Sequence, residues 1–465
     1  MTREILLNAF HMNTVGHQSP GLWAHPRDRS RHYTDLDYWL DLARTLERGL
    51  FDGVFLADVL GVYDVYAGTP DAALRHAVQV PINDPLMLVP AMASVTRHLG
   101  FGVTCALSYE PPYSFARRMS TLDHLTKGRI GWNIVTGYLA SAAKGMGKPD
   151  QAGHDVRYDI ADDYMEAVYK LWEGSWEDVA VVADKATGVF TDPARVHRVT
   201  HDGPFHKVDA IHLCEPSPQR TPVLYQAGAS GRGRTFAARH AECVFVNGPS
   251  RAVVKPLVGD LRRLAAAAGR APEDLRIFAL ATVILGRDEA EAKAKHADYR
   301  RHISHEGALA LFSGWSGIDF SGYALDDVLR QVRTEAMHSA IDSFTASDPG
   351  RRWTVRELAE KVGIGGRSPL MVGSPAQVAE EMLAWVDETG LDGFNLAYVV
   401  MPESFEDIVD LLVPELQRRG RYKRAYRPGS LREKLFGQGA RLSASHAAAR
   451  YRRAASTRDP ACAIC

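Results

Sequence analysis

The stretch STLDHLTKGRIGWNIVT, Ser120–Thr136, decides the fold. Its first half reads as a helix that Ser120 or Thr121 can cap, with Asp123 at the positive end of the dipole. Lys127-Gly128 stops that helix, glycine being free to take the left-handed conformation a helix end needs. Arg129–Val135 then follows as an apolar run of strand length, suited to burial on both faces. The run ends in Asn133 and Thr136. Helix, turn, buried strand and polar strand end make half of a βαβ unit, and in such folds chemistry gathers at the carboxyl ends of the strands. Taken alone, the stretch equally suits an ordinary core strand in which Asn133 caps the next segment.

Working outward, the same alternation recurs. Strands are expected at Ile5–Phe10, Phe51–Ala57, Phe101–Leu107, Val223–Gln226, Glu242–Phe245, Arg276–Leu285 and Gly393–Tyr398. Between them lie helical periods such as Leu36, Trp39, Leu40, Ala43 and Leu46 after Asp35, and runs at Pro85–Leu99, Ala116–Leu125, Asp159–Leu171, Arg234–His240, Ala252–Ala268, Pro375–Glu388 and Glu403–Gln417. This is the tally of an α/β fold, a (β/α)8 TIM barrel, with helical insertions and a C-terminal extension. Residues 1–437 are expected as one barrel domain, interrupted at about 176–220 and 288–367. Residues 438–465 form a tail, rich in Ala, Arg and Ser, that wraps a neighbour or is mobile.

Composition narrows the classes. The chain has 465 residues and is 46% hydrophobic, ample for a large core. Its 55 basic and 56 acidic residues give a net charge of -1, so nothing draws it to nucleic acid or an anionic membrane. There is no apolar run of membrane-spanning length and no signal-peptide pattern at MTREILLNAF. Five cysteines, few and odd in number, suit free thiols in the cytoplasm, and the terminal Cys462-Ala-Ile-Cys465 reads as incidental.

The strongest chemical signal is Gln226-Ala227-Gly228-Ala229-Ser230-Gly231-Arg232-Gly233-Arg234, between a strand and a helix. Its glycines let backbone N–H groups approach an anion. Ser230 supplies a hydroxyl, Arg232 or Arg234 a charge, and the helix start its dipole. The spacing is neither a dinucleotide fingerprint nor a P-loop. His154 and Tyr158, four apart, can share a helix face and join an anion site, or simply cap and pack a turn. His11, His17 and Asp58 stand near strand ends, as in a metal hydrolase, but no His-x-His pair, H-E-x-x-H or bridging Lys accompanies them, and no metal is expected. Tyr63 falls on the same rim. Phe10, Met12, Tyr138, Phe312 and Trp315 suggest a large apolar pocket, and the later insertion suits a lid.

Seven segments carry a resemblance: HMNTVGHQSPGLWAHP (His11–Pro26), YTDLDYW (Tyr33–Trp39), LADVLGVYDVY (Leu56–Tyr66), RRMSTLDHLTKGRIGWNIVT (Arg117–Thr136), HDVRYD (His154–Asp159), CEPSPQRTPVLYQAGASGRGR (Cys214–Arg234) and DGFNLAY (Asp392–Tyr398). From Ile5 to about Leu442 the chain resembles the bacterial-luciferase-like flavin monooxygenases. Within them it is similar to the nitrilotriacetate, dibenzothiophene-sulfone and pristinamycin group, on the side of the alkane and dimethylsulfide oxidisers. The resemblance implies a two-component enzyme. Reduced FMN (FMNH2) would come from a separate NAD(P)H:flavin reductase, O2 would add at the flavin C4a position, and the resulting (hydro)peroxide would oxygenate a small organic substrate. It implies flavin contacts at Asp58, Thr104, Asn133, Thr136, His154, Tyr158 and Ser230, with Ala227 and Gly228 in the same loop. The last three side chains named, His154, Tyr158 and Ser230, would hold the phosphate, away from the commonest barrel phosphate position after strands seven and eight. It places His17 and Tyr63 at the reacting face, and it implies a homodimer or homotetramer.

The alkane-oxidising branch has a cysteine and two histidines at the positions of Thr14, Tyr138 and Leu311, so the polar part of the substrate pocket differs here. A small apolar or sulfur-containing substrate is expected, since no basic cluster marks a polycarboxylate site. The alternatives are a deazaflavin-dependent oxidoreductase of the same shape and a flavin-binding protein without catalysis.

Overall fold

The computed structural model describes residues 4–228, 230–329 and 352–453. Eight strands form the barrel: β1 Leu6–Met12, β2 Gly53–Ala57, β3 Gly100–Ala106, β4 Ile130–Val135, β5 Val223–Gln226, β6 Cys243–Val246, β7 Arg276–Leu285 and β8 Gly393–Ala397. Neighbours in sequence all pair in parallel, including β6 with β7 and β7 with β8, and β8 pairs with β1, so the ring has no free edge. All eight expected strands are present, within a few residues of their expected ends. A short strand, Leu370–Gly373, extends the end of β7.

The helices on the outside are α1 Leu36–Arg48, α2 Val89–Ser94, α3 Pro112–Leu125, α4 His154–Gly174, α5 Gly231–His240, α6 Arg251–Ala267, α7 Glu289–Arg300, α8 His305–Ser316, α9 Val355–Val362 and α10 Pro375–Thr389. The helix after β8 runs from Glu403 to Arg418 through one π turn. Three expectations need correction. Helix α3 begins at Pro112, whose lost N–H costs nothing in a first turn, so Ser120 lies inside the helix rather than capping it. Its hydroxyl instead meets His212 Nε2 at 2.9 Å. Asp123 lies near the C-terminal end of α3, fully buried, where its carboxylate accepts from the backbone N–H and the amide of Gln219. It locks the connector onto the barrel and does not serve a dipole. The helix expected over Pro85–Leu99 is a 3-10 turn followed by α2, which stops at Ser94. The turn after α3 is as read: Gly128 has φ +80°.

Inside the barrel, aromatic rings fill the lower layers: Phe55, Tyr225, Phe245 and Phe278. Gly131 makes room for this filling, since a Cβ there would lie 2.4 Å from the Tyr225 ring. Residues 176–220 form two β-hairpins, Val181–Asp184 with Val189–Thr191 and Val199–Asp202 with Lys207–Ala210. From the later insertion, α8 and α9 build a second apolar cluster with Tyr63 and Leu139 over the C-terminal mouth of the barrel. The described part of the tail folds back on its own barrel. His446 Nε2 meets the His240 carbonyl at 2.9 Å, and Arg441 and Arg452 both reach the buried Glu173. Cys462 and Cys465 lie outside the described residues. No helix among the described residues is long and apolar enough to cross a membrane.

Candidate active site

A cavity of about 460 Å³ opens at the carboxyl ends of the strands, and every barrel strand or the loop after it contributes to its wall. This is where parallel barrels place their chemistry. One wall is polar. Thr104 on β3 and Asn133 on β4 stand opposite each other in register, and the Asn133 amide donates to Thr104 Oγ1 at 2.9 Å. That leaves Asn133 Oδ1 buried with no donor. Asn395 on β8 also lines the cavity, and its Oδ1 is likewise unmatched. Buried carbonyl oxygens without donors are rare, so two lining one cavity mark a place for a ligand bearing N–H groups. Asp58, just past β2, completes the wall. Burial, reinforced by the nearby Asp84 carboxylate, pushes its pKa up to about 7.

The loops after β2 and β4 carry a chain of hydroxyls and amides into the same cavity. Tyr63 Oη donates to Gln79 Oε1 at 2.9 Å, and Tyr63 and Tyr138 hydroxyls meet at 2.7 Å. With the Tyr63 proton on Gln79, Tyr138 donates to Tyr63. The Gln79 amide in turn donates to the His17 carbonyl at 2.8 Å. Tyr63 is 2% exposed, clamped against α8, where a Cβ at Gly314 would lie 1.8 Å from its ring. Tyr138 is 46% exposed, presenting its ring to the cavity from the turn made by Gly137 at φ +70°. His17 is buried beside the Phe10 ring, 4.3 Å between centroids. Burial first, then the nearby His11, keeps its pKa well below the usual value, so it is neutral. Gln18 Nε2 donates to His17 Nε2 at 3.3 Å.

Next to the cavity, Ala227 and Gly228 lead from its wall to the N-terminus of α5. Ser230 caps that helix, accepting from the Gly233 N–H at 3.0 Å. A Cβ at Gly233 would lie 2.7 Å from Tyr158 Oη and 3.0 Å from Ser230 Oγ, so glycine is what lets the two hydroxyls converge. The His154 ring stands 5.2 Å from that of Tyr158. The three residues expected around an anion are thus brought together. The two arginines of the loop are engaged elsewhere, Arg232 with Asp159 and Asp162, Arg234 with Asp260. A cation the sequence reading passed over, Arg157, stands beside Tyr158 with its Nε buried and without a partner.

Some expected residues lie elsewhere. Thr136, Thr14 and Leu311 are not among the lining residues. The Thr136 carbonyl accepts from Ser108, and the Thr14 hydroxyl donates to the Pro81 carbonyl at 2.7 Å. Leu311 is buried in the α8 cluster. The sequence reading also missed Gln18, Gln79, Arg367 and Asn395 as pocket residues. Asn395 sits in the quoted segment DGFNLAY, and its position opposite Asn8 in a strand could have drawn attention. His11 does not join a metal centre: it is neutral from burial, its pKa near 3, and Nε2 meets Tyr38 Oη at 2.9 Å. Among the described residues, the one group with ligand spacing is His25, Asp298 and His302, away from the cavity, where Asp298 is already held by His25, Arg27 and Arg301.

A closed parallel barrel with a half-polar cavity at its C-terminal mouth and a glycine-rich helix start beside it is the architecture of an α/β-barrel enzyme. A family model described as luciferase-like monooxygenase matches residues 9–393. The chain is 51% identical to dimethyl-sulfide monooxygenase of Hyphomicrobium sulfonivorans over 97% of its length and 94% of that protein. The crystal structure of that species' DmoA superposes with a TM-score of 0.92, covering 97% of this chain and 96% of the other. It is 50% identical to the long-chain alkane monooxygenase of Geobacillus thermodenitrificans over 98% of this chain and 100% of the relative. The chain belongs to the luciferase-like monooxygenases, which are flavin-dependent enzymes.

Proposed function

We propose that the protein is the oxygenase of a two-component system, taking reduced FMN from a separate NAD(P)H:flavin reductase and oxygenating a small organic substrate with O2. The observation that carries this reading is the adjacency of two features. A cavity lined by two donor-less carbonyls and the Asp58 carboxyl adjoins the cradle at Ser230, Tyr158 and His154. That sequence of groups fits a planar ring bearing N–H donors with a phosphate on its tail. Asn133, Asn395 and Asp58 would hold the ring edge. Ser230, Tyr158, His154 and the α5 N-terminus, with Arg157, would hold the phosphate. Reduced flavin supplies the electrons that activate O2.

The protein's own part is to bind, orient and exclude water. Helices α8 and α9 cap the mouth, and Phe10, Met12 and Phe245 give the substrate an apolar bed. The Tyr138–Tyr63–Gln79 chain sets fixed hydroxyl groups beside the cavity, next to neutral His17. A homodimer or homotetramer in the cytoplasm is part of the proposal. The test is a fluorescence titration with FMN, riboflavin and a deazaflavin, followed by oxygen uptake with FMN, NADH and a flavin reductase. FMN should bind more tightly than riboflavin, and uptake should become substrate-dependent. Failure to bind FMNH2 when the titration is run anaerobically with reduced flavins would remove the reading, and a preference for the reduced deazaflavin would transfer it to an oxygen-independent oxidoreductase.

A further inference from the structure

The cavity contains a cation without a counter-charge. Arg367 lines it, seated over Trp315 with the guanidinium carbon 5.1 Å from the ring centroid. The chain is built to put it there. Gly365 and Gly366 have φ of +74° and +64°. A Cβ at Gly365 would lie 2.2 Å from Thr282 Oγ1, and one at Gly366 2.1 Å from Gln18 Oε1. The turn is therefore pressed against the top of the barrel, and Arg367 leaves it into the cavity.

Buried arginines elsewhere use their N–H groups on the protein. Arg129 donates to the carbonyls of Ala93, Thr96, Leu99 and Thr126, Arg270 to those of Ala238, Ala241 and Asp274, and Arg432 to Glu242. Arg367 has no carboxylate within ion-pair distance and no hydrogen-bond acceptor among the described residues. The cavity's own carboxyl, Asp58, is not its partner: burial and Asp84 govern that group. What faces Arg367 electrostatically is the pair of hydroxyls on Tyr138 and Tyr63. Burial lowers its pKa, but a guanidinium stays charged in a protein. A partly buried cation lacking a partner is costly to folding, and stacking on one indole offsets little of that. The missing partner belongs to whatever fills the cavity.

A guanidinium is a planar fork that matches two oxygens of one oxyanion. We propose that Arg367 sets the substrate class, binding the carboxylate or sulfonate end of a molecule whose apolar or thioether body lies along Met12 and Phe10. This rests on the monooxygenase reading and adds an anionic end to the small apolar or sulfur-containing substrate expected from the sequence.

The test pairs two probes of one chain length, 5-(methylthio)pentanoate and methyl pentyl sulfide, with binding measured by calorimetry on the full chain, with and without FMN. The wild type should bind the carboxylate about tenfold to a hundredfold more tightly, the scale of a charge-assisted hydrogen bond. That ratio should collapse towards one in R367M and return in part in R367K. Thermal melts of both variants check that each is folded before its ratio is read. A ratio near one in the wild type, or a ratio that survives R367M, overturns the proposal. If both probes weaken equally in R367M, the cation acts on something other than the substrate's anionic end, which also overturns it. Absence of FMN binding with the ratio intact removes the monooxygenase reading and supports the anion site. FMN binding with a ratio near one removes only the anion site.

Discussion

Ser230 and Asp58 show how single side chains divide the work of one site. Ser230 offers its oxygen to the Gly233 N–H and stands beside Tyr158 Oη, at the positive end of α5. A carboxylate there would occupy the anion's place and repel it. S230D is therefore expected to weaken FMN binding by about tenfold or more, and to erase the preference of FMN over riboflavin in a fluorescence titration. Unchanged discrimination would show that the phosphate lies elsewhere. Asp58 makes a prediction of a different kind. Its folded pKa, about 7, stands above the ordinary carboxyl value of 3.8. Between those values the folded chain holds a proton that the unfolded chain has lost. Stability from this group is thus present at low pH and falls as pH rises from about 4 to 7, by about 1.4 kcal/mol per unit of separation. Urea midpoints taken across that range should decline more steeply in the wild type than in D58N. Parallel profiles would mean that Asp58 ionises normally.

At the scale of elements, the cradle depends on how closely α5 approaches α4. Gly233 is the contact point, with Tyr158 from α4 and Ser230 from the cap of α5 both within reach of its missing Cβ. G233A pushes a methyl group between them without altering any polar group of the cradle. It is expected to lower FMN affinity by about tenfold while leaving riboflavin affinity nearly unchanged, since helix propensity favours alanine here. Equal loss for both flavins would place the damage in the ring site. Strands and their order were readable because buried parallel strands are short apolar runs punctuated by glycine, and all eight declare themselves that way. The start of α3 was misplaced for a physical reason. Ser120, Thr121 and Asp123 form a good capping pattern, but tertiary contacts with His212 and Gln219 claimed the side chains of Ser120 and Asp123, and Pro112 began the helix. Loop-borne pocket residues were harder. The loop Gly-Arg-Gly was read as an anion site in which Arg232 or Arg234 supplies charge, yet both pair with aspartates from neighbouring helices that no local pattern announces. Arg367 sits in an insertion whose fold has no periodic signature, so its arrival in the cavity follows only from the packing of Gly365 and Gly366.

Over the whole molecule, the two ends of the barrel have opposite characters. The C-terminal mouth is polar, cavity-bearing and capped by an insertion. The N-terminal end is sealed by the short helix Leu431–Phe436, which places Leu431 and Leu435 among Phe55, Val223, Tyr225 and Phe278. The seal leaves no room to spare, since a Cβ at Gly100 would lie 2.5 Å from Leu431. Its charged member, Arg432, is 2% exposed and donates to both oxygens of Glu242 at 2.6 and 2.8 Å, and to the carbonyls of Thr221, Pro222 and Ala440. Glu242 in turn accepts from the Leu224 N–H, so the pair ties the C-terminal segment to β5 and the start of β6. Removing one partner of such a pair leaves a buried charge uncompensated, which costs about 3–5 kcal/mol. R432M should lower the urea unfolding free energy by that amount, and the double variant R432M/E242Q should recover a substantial part of it, because the orphaned carboxylate is then gone. The mouth lies at the other end of the same strands, so FMN affinity of the folded R432M protein should stay close to wild type. A cost under 1 kcal/mol would show that the helix is an appendage. A loss of flavin affinity matching the loss of stability would show that the two ends of the barrel are coupled, and that the seal serves the site as well as the fold.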